Sequence, residues 1–275
     1  MNAFRITLPS ADEDVATAAL WELGTAGLEV SDHGEDTRVL TAYFPDGGAD
    51  AAALRAALGP VPGLEVEPVP VPDLDWVTLQ RRDFRPLTVG RFRIAPSWDL
   101  PPEAEDVLIV DPGRAFGTGA HETTRLCLTL LQSIAARRPL GGVLDVGAGT
   151  GLLAVAAARL GARPAVAVDV DPDAIESARV HAALNRAALA IVRGDGGRPL
   201  QRGRFDIVMA NLTAALLIER RGELASLRAP EGMLLMSGML VEDLPEVRDA
   251  YQPYGAWDAC LDGGWAAAVV ERRGA

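Results

Sequence analysis

Apolar and polar positions follow two different rhythms along this chain, and the change of rhythm divides it. Phe4–Leu8 alternates apolar with polar residues, the pattern of a half-buried strand. Ser10-Ala11-Asp12-Glu13 has the form of a capping box and predicts a helix through Leu23. Gly27–Val30 and Arg38–Phe44 read as strands around the polar turn Asp32-His33-Gly34-Glu35-Asp36. A second helix is expected from Ala49 to Leu58, and a last strand over Leu64–Val71. The order β-α-β-β-α-β predicts a small ferredoxin-like α+β domain over residues 1–71. No ligand cluster or glycine cradle lies in it. Substrate recognition is its expected role, with a structural appendage as the alternative.

Pro60, Pro62, Pro68, Pro70 and Pro72 mark a stiff boundary, and residues 72–105 are expected to link two domains. Within them Asp75–Phe84 predicts a short helix, and RPLTVGRFRIAPSWDLPP supplies extended segments. From residue 106 the pattern becomes strand–helix alternation, which implies a largely parallel sheet with helices on both faces. Strands are expected at Val143–Val146, Ala165–Val168, Ala190–Gly194, Phe205–Met209 and Gly232–Ser237. Helices are expected over Leu152–Leu160, after Asp171-Pro172, from Thr213 and from Val241. Gly255–Leu261 and Trp265–Arg272 follow one another without a helix, so they predict an antiparallel hairpin at the sheet edge. A nicotinamide-type domain would instead repeat the βαβ unit throughout.

The stretch VLDVGAGTGLLAVAAARLGARPAVAVDVDP, residues 143–172, carries the chemistry. Gly147, Gly149 and Gly151 join a buried strand to a helix whose free N–H groups and positive dipole end face the turn. Glycines permit backbone angles closed to other residues and let a ligand approach the main chain. Asp169 ends the next strand, where a carboxylate can accept hydrogen bonds from both hydroxyls of a ribose. The dinucleotide fingerprint is G-x-G-x-x-G, whereas this run is D-x-G-x-G-x-G with Asp145 ahead of it. No basic residue stands in the loop to meet a diphosphate. A carboxylate at Asp145 repels phosphate and suits a cation. S-Adenosylmethionine has an ammonium, a sulfonium and no phosphate, and is the expected cofactor.

Composition narrows this further. The 275 residues leave room for two domains, and the balance of 49% hydrophobic and 23% charged residues is that of a globular chain. A formal net charge of −12 argues against a broad nucleic-acid surface, so no direct nucleic-acid partner is expected. Cys127 and Cys260 are far apart, and His33, His121 and His181 are scattered, so neither a disulfide framework nor a metal site is expected. With no signal peptide and no apolar run able to span a bilayer, a cytoplasmic location without membrane attachment is expected. Nothing calls for an obligate interface, and a monomer is expected.

Two further stretches matter. FDIVMANLTAAL ends a strand at Asn211, whose amide would stand at the carboxyl edge of the sheet unless it only caps the next helix. DPGRAFGTGAHETT, residues 111–124, is a loop with Gly117 and Gly119 that could fold over a ligand. Taken together, AFGTGAHETT, LDVGAGTG, VDVDP and MANLTAAL resemble the PrmA family of methyltransferases, which modify large-subunit ribosomal protein eleven. The resemblance extends to PSW upstream and to the small first domain, so it spans essentially the whole chain. Ala148, Thr150 and the tail of NLTAALLIERR depart mildly from that pattern.

The resemblance implies a Rossmann-like class I methyltransferase sheet over residues 106–275. It implies cofactor contacts at Thr124, Gly147, Asp169 and Asn211, with Asn211 near the reacting methyl. It also implies trimethylation of lysine side chains and the α-amino group, a first domain that holds the ribosomal protein, and a flexible linker. The implied reaction is displacement at a sulfonium methyl by an amine. A lysine, with an ordinary pKa of about 10.4, needs more help to lose its proton than an α-amine. No strong general base is visible; His121 is the one titratable candidate near the site. Alternatives are methylation of another protein or of nucleic acid, a non-catalytic adenosine-binding assembly module, and a nicotinamide oxidoreductase. For nucleic acid the absence of an aromatic in Asn211-Leu212-Thr213-Ala214 removes the usual stacking platform.

Overall fold

The computed structural model describes residues 2–32, 36–70, 84–101, 106–113 and 115–272. The chain divides into two compact units, Met1–Leu74 and Asp75–Ala275. The first runs β1 (Asn2–Pro9), α1 (Glu13–Glu22), β2 (Gly27–Asp32), β3 (Thr37–Phe44), α2 (Ala51–Leu58) and β4 (Glu65–Val69). Its sheet has the order β2-β3-β1-β4, with every neighbouring pair antiparallel. Alternation along β1 sends Phe4, Ile6 and Leu8 to one face, where they form a core with Leu20 of α1 and Leu54 of α2. Asp50 caps α2 through the amides of Ala52 and Ala53.

The capping box expected at Ser10 does not form. Pro9 holds the last extended position, so the chain enters a 3-10 turn at Ser10, which is already inside it. Neither Pro9 nor Asp12 caps with a side chain, and Glu13 instead pairs with Arg38 at 2.8 Å. Residues 33–35 of the expected turn, and all of the expected helix 75–84 except Phe84, lie outside the described residues.

In the second unit, β5 (Leu87–Val89), β6 (Phe92–Ala95) and β7 (Val107–Ile109) form a small mixed sheet. Much of the segment expected as linker is therefore ordered here. Val89, Phe92, Ile94 and Leu108 share a core with α3 (Glu122–Arg137), and Gln132 of α3 bonds Arg91 N–H and Val89 O. Among so many prolines, strands this short leave little periodic signal.

The main sheet follows from β8 (Val143–Val146), α4 (Leu152–Arg159), β9 (Ala165–Asp169), α5 (Pro172–Leu184), β10 (Leu189–Arg193) and β11 (Phe205–Asn211). It continues through α6 (Ala214–Glu219), α7 (Arg221–Leu227), β12 (Arg228–Leu240), α8 (Leu244–Tyr251), β13 (Ala256–Asp262) and β14 (Trp265–Glu271). The strand order is β10-β9-β8-β11-β12-β14-β13. The first five are parallel; β14 runs antiparallel to both neighbours and lies between β12 and the edge strand β13. This mixed α/β sheet is the expected class I methyltransferase arrangement with its hairpin.

Both faces are covered, which is why the strands read as nearly continuous apolar runs. Val143, Ile207 and Met209 point to the face of α3 and α4, while Leu144, Val208 and Ala210 pack beneath α6, α7 and α8. Helix α3 offers Thr124, Cys127, Leu128, Leu131 and Ile134 to the core, a 3.6-residue stripe. Gly161, at φ 97°, ends α4 in a Schellman motif: its amide bonds Ala158 O and that of Ala162 bonds Ala157 O.

Leu128 is fully buried between α3 and the sheet. Leu128→Ala is expected to cost about 2–5 kcal/mol, read as a lower urea midpoint for the second unit at unchanged slope.

Candidate cofactor site

Strand β8 leads to β9 and β10 on one side, after which the chain crosses to β11 and β12 on the other. The winding reverses between β8 and β11, and at such a point the carboxyl ends of the strands leave a crevice. The glycine turn leaves β8 on one bank, and Asn211 ends β11 on the other.

Gly147, Gly149 and Gly151 all have positive φ, at 71°, 53° and 75°. Gly147 and Ala148 donate to Val168 O at 2.9 and 3.1 Å. Gly149 donates to Asp169 Oδ2 at 2.9 Å, and Asp169 Oδ1 accepts from Asp171 N–H at 3.0 Å. Asp169 thus ties the turn to the end of the neighbouring strand, and each of its oxygens keeps a further lone pair for a ligand hydroxyl. Asp171 caps α5 and Pro172 opens it, as expected.

The loop ahead of α3 closes on this turn. Thr150 donates its amide to Phe116 O at 2.9 Å and its hydroxyl to Gly117 O at 2.6 Å. A Cβ on Gly149 would run into the Phe116 carbonyl. The close approach that requires glycine at 149 is therefore made by the protein's own loop, where the sequence suggested a ligand. Arg114 of this loop is outside the described residues.

At the start of α3, His121 acts as the cap: its Nδ1 accepts from Thr123 N–H at 3.3 Å and lies 2.9 Å from Thr123 Oγ1. Its ring packs edge-on against Trp265 at 4.6 Å and Phe116 at 5.6 Å between centroids. Asn211 Nδ2 donates to Thr123 Oγ1 at 3.2 Å. Asn211 does not cap the next helix; Thr213 does. Asn211 Oδ1 and Thr124 Oγ1 are both buried without a hydrogen-bond partner. A buried polar atom left unpaired costs about 1–3 kcal/mol, so these two oxygens are candidates for contact with a ligand.

Asp145 lies beneath the turn, 1% exposed, on the face of β8 that carries Val143. Its Oδ2 accepts from Ala154 N–H of α4 at 3.2 Å. Burial pushes its carboxyl up to about 7, against the pull of the Ala154 bond and with a small push from Asp169. Gly149 and Asp169 are thus tied together, Asn211 is bonded to the start of the helix that carries Thr124, and Asp145 is buried beneath the turn. Thr150, which seats the loop, escaped the sequence reading because a hydroxyl inside a glycine turn has no periodic signature. Among the described residues no group of three His, Cys, Asp or Glu side chains could hold a metal ion.

The model of one family, described as ribosomal protein L11 methyltransferase (PrmA), matches residues 2–273. This chain belongs to that family. A ribosomal protein L11 methyltransferase from Geobacter sulfurreducens is 37% identical over 264 residues, covering 86% of this chain and 85% of that one. One from Cupriavidus metallidurans is 33% identical over 99% of this chain and 92% of its own length. The crystal structure of a ribosomal protein L11 methylase from Lactobacillus delbrueckii subsp. bulgaricus superposes with a TM-score of 0.63 at 29% identity. That match covers 69% of this chain and 100% of the other. Membership in PrmA thus rests on both sequence and fold.

The Asp145 shift has a stability consequence. A carboxyl raised above its unfolded value gives its full contribution below the unfolded pKa, near 4, and loses it as pH rises toward 7. Asp145→Asn removes that dependence. The variant is expected to melt above the wild type at pH 8, with the difference shrinking toward pH 4.

Proposed function

We propose that this protein is an S-adenosylmethionine-dependent N-methyltransferase acting on lysine side chains and the N-terminal amino group of ribosomal protein L11. The observation that carries the reading is the pair of buried, unpartnered oxygens, Thr124 Oγ1 and Asn211 Oδ1, beside a glycine turn at the sheet's reversal point. When bound, S-adenosylmethionine supplies a methyl group already activated by its sulfonium. Thr124, Gly147, Gly149, Gly151, Asp169 and Asn211 would hold it, Asp169 through the ribose hydroxyls. Asp145 supplies a negative floor for its cationic end, and a cation above it would draw that carboxyl into its ionised form.

The protein's remaining task is positioning. The Asn211 Oδ1 atom accepts an amine N–H and aims the nitrogen lone pair. The buried indole of Trp265 offers an apolar surface that favours the neutral amine over the ammonium. His121, its Nδ1 engaged at the helix start, orients Thr123 and through it Asn211.

The first unit, with its β-α-β-β-α-β order, is read as a ferredoxin-like substrate-recognition domain, and residues 72–105 as the region that joins it to the catalytic domain of 106–275, with β5 and β6 packed into the latter. A cytoplasmic monomer with no direct nucleic-acid contact completes the proposal; the named substrate of the relatives, a ribosomal protein, supports that location.

The test is intact-mass spectrometry of purified L11 incubated with the protein and S-adenosylmethionine. Methyl increments on L11, mapped to amines by peptide analysis, are expected. An unchanged mass, with methylation of RNA or another protein instead, overturns the substrate. Asp169→Ala is expected to weaken S-adenosylmethionine binding about tenfold, ~1.4 kcal/mol, measured by calorimetry; unchanged affinity refutes the ribose assignment.

A further inference from the structure

The loop over the glycine turn has a second attachment, made by α5. His181 is 2% exposed, and its two ring nitrogens reach different segments. Nε2 accepts from Asp111 N–H at 3.0 Å, and Nδ1 lies 3.0 Å from Thr150 O. An amide needs a lone pair and a carbonyl needs a proton, so this geometry requires the neutral ring with its hydrogen on Nδ1.

One turn further along, Asn185 clamps the end of β7. Its Oδ1 accepts from Ile109 N–H and its Nδ2 donates to Ile109 O, both at 2.7 Å. The Asp111 carboxylate is held in turn by Ser97, from its amide at 2.7 Å and its hydroxyl at 2.8 Å. A continuous path therefore runs from Ser97 through Asp111 and His181 to Thr150, and from Thr150 to Phe116 and Gly117.

We propose that His181 is a positioning residue that couples the start of the loop to the glycine turn, so that the loop stays seated over the site only while the imidazole is uncharged. The effect on cofactor affinity rests on the functional reading above; the coupling itself does not. A second ring proton, on Nε2, would face the Asp111 N–H donor head-on and that bond would break. Among the described residues, the charged group acting on the ring is the Asp111 carboxylate, from the loop side, which favours the cation. The glycine turn presents the Thr150 carbonyl, and α5 presents the Ser177 hydroxyl at 3.3 Å. Burial outweighs these and holds the imidazole below its ordinary range. A pKa lowered by folding gives stability that is complete above about 6.5 and is lost as pH falls through the histidine range.

The test uses the full-length protein and a His181→Gln variant, whose amide reaches similarly but does not titrate. Long-range nitrogen–proton spectra of the imidazole at about pH 7.5 should show the hydrogen on Nδ1. Between about pH 7.5 and 5.5 the hydrogen-exchange protection factor of the Asp111 amide should fall about tenfold in the wild type and stay flat in the variant. Over the same range S-adenosylmethionine affinity should weaken at least about threefold more in the wild type than in the variant. Titration of Asp145 is common to both and cancels in that difference.

A hydrogen on Nε2, or coincident protection profiles, overturns the proposal. If neither protein bound S-adenosylmethionine while the tautomer and protection behaved as stated, the cofactor reading would fall and the coupling would stand. Should the variant not fold, the wild-type tautomer and protection profile decide alone.

Discussion

The site depends on one topological constraint: a parallel sheet that reverses its winding direction between β8 and β11. Right-handed crossovers place each connecting helix to one side, so neither crossover helix covers the carboxyl ends of the two strands at the reversal. The turn after β8 and the amide at the end of β11 then face a common gap. Burial of Val143, Ile207 and Met209 against α3 and α4, and of Leu144, Val208 and Ala210 on the other face, fixes the register that aims them. Slipping one strand by a single residue would turn Asn211 to the opposite face.

On that frame the protein accepts local costs. Asp145 is a carboxyl in a largely apolar layer, and its neighbour Cys127 is a thiol whose ionisation burial likewise opposes. Thr124 and Asn211 each keep a buried oxygen without a partner. These features weaken the isolated fold and are the ones that a polar, cationic ligand would relieve. Nearby on the sheet Ser237 is satisfied, its hydroxyl donating to Ala266 O.

The sequence made local features readable because they depend on residue type at fixed spacing. The three glycines of the turn, Asp169 at a strand end, Asp171-Pro172 before α5 and Gly161 after α4 all follow from backbone geometry that few residues can adopt. The final hairpin was equally clear from two strands with no room for a helix. What escaped was set by distant partners. Ser10 failed as a cap because Pro9 kept the extended position. Residues 85–102 were readable as extended segments, but not their packing on α3, because β5 and β6 are short and are held by Gln132 far along the chain. Thr150 and His181 act across 33 and 70 positions of chain, and no pattern in the neighbouring residues announces a hydrogen bond at that range.

Gly149 has one more implication. Its missing side chain is what allows the Phe116 carbonyl to lie against the turn. The loop and the turn are therefore not free to diverge separately through descent. A bulkier residue at 149 becomes tolerable only in a lineage whose loop has already taken a different path. Changes at these two places, 33 residues apart in the chain, should be inherited as a pair.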